Sequence, residues 1–197
     1  MVFIDDYAGY GNEILYNMCE RKPLHNDIDV INSKLWIIGR SYSAAIERGA
    51  GAKFKIENAS QIIMDSELDK LIKNVSKINR PTLENINKIL EVHSYFTNLL
   101  FKATGLYKRS LASKYLHFHS PKAFFIYDSI AEKEIRRHIK ESSKNTSKRF
   151  KITKNYDDRY EAFVYRCIYY RDNFLEDKPD IKRYTTPRRL DKFLLGY

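Results

Sequence analysis

Apolar side chains in this chain return every three or four residues and almost never at alternate positions. From Ile28 they run Ile31, Leu35, Ile38, Tyr42 and Ile46, the period of one buried helix face. A chain patterned this way has no half-buried strands to pair. It must bury helix stripes against one another. Asn26–Asp27 can cap this first helix, and Gly49 and Gly51 end it.

The same reading places a helix from Asp65–Ser66, with Leu68, Leu71, Ile72, Val75 and Ile78 inward, stopping before Pro81. Thr82 is the expected cap of a third helix that buries Leu83, Ile86, Leu90, Tyr95 or Phe96, and Leu100, and closes at Gly105. A short helix over Lys108–Phe118 is broken by Ser120–Pro121. Phe124–Tyr127 is too short an apolar run for a helix and reads as buried and extended. Asp128 or Ser129 then caps a helix over Ile130–Lys140, whose exposed face carries Lys133, Arg136, Arg137 and Lys140. Glu141–Asn155 is polar and basic and reads as a mobile loop. Asp157–Phe174 reads as a helix with Tyr160, Phe163, Val164, Cys167 and Ile168 inward, and Thr186–Pro187 opens a last one with Leu190, Phe193 and Leu194 inward. The expected fold is all-α, with roughly six to eight helices. It is one domain over residues 1–197, with two lobes around a cleft as the alternative arrangement.

Composition narrows the partners. No apolar stretch is long enough to cross a membrane, and Met1–Asp6 lacks the basic flank and apolar core of a secretory signal. Cys19 and Cys167 form no CxxC pair and no metal-ligand spacing, so they read as reduced thiols of a cytoplasmic protein. The formal net charge is +10, spread over segments that also carry apolar periodicity. A folded basic surface favours a polyanion, and nucleic acid is the commonest one. Abundant Lys, Asn and Ile also fit a coding bias that raises charge without function.

Chemistry concentrates between Gly105 and Ser129. Asp128 follows a buried run and precedes a helix, so it can be a rigid, partly desolvated catalytic acid, a helix cap, or both. Ser110, Ser113, Lys114 and His117 share one helix face that reads as polar. A lysine desolvated there can attack a sugar carbon, whereas on a solvated face it is only one more cation. Lys108 and Arg109 sit at the helix start, where free backbone N–H groups hold phosphate. His117 and His119 point about 200° apart on a helix and have no third ligand, so no metal is expected. Gly39, inside an apolar-periodic segment, signals close approach by another backbone or a ligand. Beside it, Arg40 and Tyr42 could line a base pocket, or simply pack.

The stretch Gly105–Ser129 resembles the helix-hairpin-helix DNA glycosylases, in which a Gly-containing hairpin and a helix lead to a buried run ending in a catalytic Asp. Here that run is Phe124-Phe-Ile-Tyr127-Asp128. Trp36–Arg48 with Ala112–Asp128 is similar to a bacterial group related to 8-oxoguanine glycosylases. That group includes an antiphage enzyme acting on glucosylated hydroxymethylcytosine. The hairpin here is degenerate, since Gly105-Leu-Tyr107 lacks a second glycine. The family's bifunctional members carry a lysine where Ser110 stands, eighteen residues before Asp128, and Lys114 lies a turn later.

The resemblance implies a DNA N-glycosylase that flips a modified base out of double-stranded DNA, phage DNA included, and leaves an abasic site. It implies Asp128 and Lys114 as catalytic residues. Lys108, Arg109, Ser110 and Ser113 would contact DNA, and Arg40, Tyr42, His117 and Tyr127 would line the base pocket. No cofactor is expected, two cysteines being too few for an iron–sulfur cluster, and the chain is read as a cytoplasmic monomer. A non-catalytic nucleic-acid-binding module is the alternative.

Overall fold

A computed structural model describes residues 9–142, 152–153, 155–175 and 186–196. Its regular elements among these residues are all helical. They are α1 (Gly9–Arg21), α2 (Ile28–Ser41), α3 (Ile56–Met64), α4 (Leu68–Val75), α5 (Ile86–Thr104), α6 (Arg109–His119), α7 (Ser129–Ser142), α8 (Asp158–Tyr170) and α9 (Pro187–Leu194), with one π-helical turn over Arg171–Leu175 after α8. The all-α expectation holds. None of these helices is long and apolar enough to cross a membrane.

Local chemistry sets most boundaries. Asp27 caps α2 by accepting from the N–H groups of Asp29 and Val30. Gly105, at φ 70°, closes α5 in the left-handed conformation that glycine adopts without steric cost. Asp157 caps α8, and Thr186 caps α9 ahead of a proline at its first turn.

Three expectations need correction. α2 ends at Ser41, not beyond Ile46, because the chain folds back on itself: the N–H of Ala44 donates to Gly39 O at 2.7 Å. A Cβ on Gly39 would stand 3.2 Å from Ala45 Cα, so the close approach is by backbone. Thr82 does not start α5; residues 82–85 form a turn in which Asn85 Oδ1 accepts from Thr82 N, and Leu83 is 64% exposed. α7 runs two residues past Lys140, so Glu141 and Ser142 are helical. The rest of the 141–155 loop lies largely outside the described residues. Helices α1 and α3 carried no cap signal strong enough to mark them.

The buried side chains form two clusters. One joins α1 to α6 around Ile38, Ile63, Phe96, Leu100 and Tyr115. The other joins the start of α5 to α7, α8 and α9 around Ile86, Phe125, Tyr160, Phe163 and Leu190. The run Phe124–Tyr127 is non-helical and buried, and it passes from one cluster to the other: Phe124 packs in the first, Phe125 and Tyr127 in the second. Asp128 therefore emerges at the seam. Cys19 and Cys167 are free, buried thiols, one in each cluster.

Candidate active site at the seam of the two clusters

α6 approaches the seam from the first cluster. Leu111 through Phe118 are all buried, so this helix has core on nearly every side. The Ser110/Ser113/Lys114/His117 face is consequently interior rather than solvated. Ser113 Oγ accepts from the N–H of Tyr127 at 3.0 Å, which pins the end of the buried run to α6. Asp128 follows at once. Its Oδ1 accepts from the N–H of Ala131 at 2.8 Å and starts α7. Its Oδ2 lies 3.5 Å from Lys114 Nζ. One carboxylate thus caps a helix with one oxygen and faces an amine with the other, and its side chain remains 25% exposed.

Lys114 is 3% exposed. Its Nζ donates to Ser110 Oγ at 3.0 Å and to the carbonyl of Tyr42 at 3.2 Å, and it lies 5.8 Å from the centre of the Tyr42 ring. Burial pushes its pKa below the ordinary lysine value, and the charges of Asp128 and Asp191 partly oppose that shift. Asp191 arrives on α9, ion-paired with Arg188 at 3.1 Å, and the Arg188 guanidinium stands 5.8 Å from the other residue of the group, the Tyr42 ring. Four separated segments thus meet here: the end of α2, the middle of α6, the start of α7 and the start of α9.

The remaining expected site residues are placed differently. Arg109 is ion-paired through Nε with Asp157, the cap of α8, and its guanidinium lies 5.8 Å from the Tyr127 ring. Burial lowers its pKa, but the hydrogen bond and charge of Asp157 outweigh that and raise it. It is committed to joining α6 and α8. Ser113 is fully buried and cannot touch DNA.

His117 is also fully buried. Its Nδ1 bonds Phe124 O at 2.8 Å, its Nε2 bonds the Tyr16 hydroxyl at 2.7 Å, and burial drives its pKa down to about 3. It holds the buried run to α6 and offers no nitrogen to a base. Tyr127 is buried, and its hydroxyl donates to Glu132 at 2.8 Å. Burial and that bond raise its pKa to about 12. Arg40 stands on the exposed side of α2, over Trp36 and ion-paired with Glu47, while Lys108 donates through Nζ to Arg48 O. The structure therefore brings together Ser110, Lys114, Tyr42 and Asp128. It adds Asp191 and Arg188, for which the sequence held no local signal.

Basic residues elsewhere are partly neutralised. On α7, Arg136 pairs with Glu132, and Arg137 with Glu134 and Glu141. A groove of about 300 Å³ between α4 and α5, lined by Leu71, Asn74, Val75, Lys88, Glu91 and Val92, shares no residue with the Lys114–Asp128 pair. Among the described residues no group of three or more His, Cys, Asp or Glu could hold a metal ion.

No protein-family model matches this chain, and neither a curated protein nor a solved structure does.

Proposed function

We propose that this protein is a DNA N-glycosylase that excises a modified base, with Asp128 as its catalytic carboxylate. The observation that carries the reading is the Asp128 Oδ2–Lys114 Nζ approach of 3.5 Å, made by a carboxylate still open to solvent and an amine almost entirely withdrawn from it. A buried amine of lowered pKa held beside a carboxylate on rigid elements is a common active-site arrangement. The net charge of +10 supports a polyanionic substrate. The resemblance over Gly105–Ser129 supplies the reaction class, with the α5–α6 turn as the degenerate hairpin.

Excision breaks the bond between C1′ and the base nitrogen. In the hydrolytic form water adds to C1′, and the base leaves with the bonding pair and a proton. Asp128 faces the positive charge that develops on the sugar and orients the water. The nucleotide must first leave the stack, since its glycosidic bond is out of reach there. In the covalent form Lys114 Nζ bonds to C1′ instead, and burial helps by making the amine easier to deprotonate. Glucosylated hydroxymethylcytosine in phage DNA is the substrate that the resemblance suggests, with an oxidised purine as the conventional alternative.

The test is abasic-site formation, read as alkali-induced strand breaks, on plain, oxidised and glucosylated DNA. The wild-type protein should break one modified substrate. Asp128→Asn should lose about 10²-fold or more of that activity while DNA affinity stays within a few-fold. Trapping with borohydride reports the covalent form. Undiminished excision by the variant would remove Asp128 from catalysis. The competing reading is a binding module without chemistry. It is favoured by the same burial, since Lys114 Nζ already satisfies the Tyr42 carbonyl. Salt-dependent DNA binding with no strand breaks on any substrate would establish it.

A further inference from the structure

Phe101 and Tyr107 stack on each other at the α5–α6 turn, their ring centres 4.5 Å apart and their planes 25° from parallel. Both face outward: Tyr107 is 59% exposed and Phe101 39%. Exposed aromatic rings are common one at a time, but a stacked pair on a fixed turn is a different object. The turn is fixed from both sides. Gly105 takes the left-handed conformation, and Thr104 Oγ1 bonds Leu100 O at 2.7 Å and receives the N–H of Leu106 at 3.2 Å. Leu106 packs on the neighbouring turn, with Cδ1 3.2 Å from where a Cβ on Gly49 would stand. The rings are therefore held before any ligand arrives, so little freedom is lost on contact.

The surroundings are cationic. Arg48 and Lys102 are exposed, Lys102 next to Phe101 in sequence, and Lys108 is tied to the Arg48 carbonyl. Glu47 is the nearby acid, and Arg40 engages it. A ligand for this patch needs planar apolar faces next to negative charge, which describes a base attached to its phosphate. The patch also adjoins the candidate site: Tyr107 is three residues before Ser110, whose hydroxyl accepts from Lys114.

We propose that the Phe101–Tyr107 pair is a stacking platform for an unpaired base of the bound DNA strand. This rests on the reading of DNA as the partner, and not on base excision itself.

The test uses DNA oligonucleotides carrying 2-aminopurine, single-stranded and with one unpaired position in a duplex. Affinity is measured at several salt concentrations. Tyr107→Ala, and the double variant with Phe101→Ala, should weaken binding about 5- to 150-fold. The salt slope should not change, because no phosphate contact is lost. Tyr107→Phe should bind like the wild type, and 2-aminopurine fluorescence should fall on binding to proteins that keep the ring. Circular dichroism checks that these surface variants stay folded. Affinity and fluorescence unchanged in Tyr107→Ala would overturn the platform. So would a wild-type dimer that Tyr107→Ala turns into monomers, since the ridge would then be a self-contact. Base release measured in parallel on the oxidised and glucosylated DNA of the excision assay separates the two proposals. Ring-dependent binding without excision removes the enzyme and keeps the platform. Excision with ring-independent binding does the reverse, and no DNA binding ends both.

Discussion

Ser113 Oγ accepts the backbone N–H of Tyr127 at 3.0 Å, and this one bond connects the helix that carries Lys114 to the residue before Asp128. The hydroxyl is fully buried and also reaches the carbonyl of Ser110 at 3.0 Å.

Ser113→Ala should leave that buried N–H without a partner, at a cost of about 1–3 kcal/mol. Urea unfolding measures it. Under the proposed function the variant should also lose excision activity, since Asp128 is no longer held in place. Wild-type stability would show that the run is anchored without the Ser113 hydroxyl.

Acid should weaken the fold before carboxylates protonate. His117, with its pKa at about 3, and His93, at about 4, are buried as neutral imidazoles, burial being the larger cause in both. Unfolded histidine titrates near 6.5. Below that pH the unfolded chain takes protons that the folded chain refuses, so stability is full above pH 6.5 and falls as pH drops toward the folded values. Each histidine should cost about 2 kcal/mol between pH 6.5 and 5. A urea midpoint equal at pH 7 and pH 5 would contradict this.

Arg109→Ala should act on stability more than on DNA. The substitution leaves Asp157 buried without its cation and unties α6 from α8, which should cost about 3 kcal/mol. The salt dependence of DNA binding should stay close to wild type, because this guanidinium is already occupied. A salt slope reduced by a full unit would instead mark Arg109 as a phosphate contact.

Gly39→Ala should destabilise, although alanine favours helix by about 1 kcal/mol. The new methyl would meet Ala45 Cα at 3.2 Å and Ala44 O at 3.4 Å, both backbone atoms. Pushing that turn away should cost about 1–3 kcal/mol, and the Tyr42 carbonyl that receives Lys114 would shift with it. A raised melting temperature would show that the turn yields freely.

Helix identity was legible because its signals are local. The Ile28–Ile38 stripe, the Asp27 cap and the Gly105 stop act within a few residues, and the structure keeps each of them. Asp128 was legible as both a cap and a candidate acid, and one carboxylate has oxygens for each. Where α2 stops was not legible, because its end depends on Ala45 returning to Gly39, a contact that periodicity does not encode.

What the sequence determined by itself was the helical class, the helices other than α1 and α3, and the spacing that puts Ser110, Ser113, Lys114 and His117 on one face. Tertiary packing alone decided whether that face meets water or core. A polar stripe is indifferent to its surroundings until hydrogen-bond partners arrive. Here they come from Tyr16, Tyr42, Phe124 and Tyr127, in other segments of the chain. The same packing brought Asp191 and Arg188 beside Lys114 and Tyr42, because α9 closes the second cluster. Burial and proximity are properties of the assembled helices, and no single helix carries them.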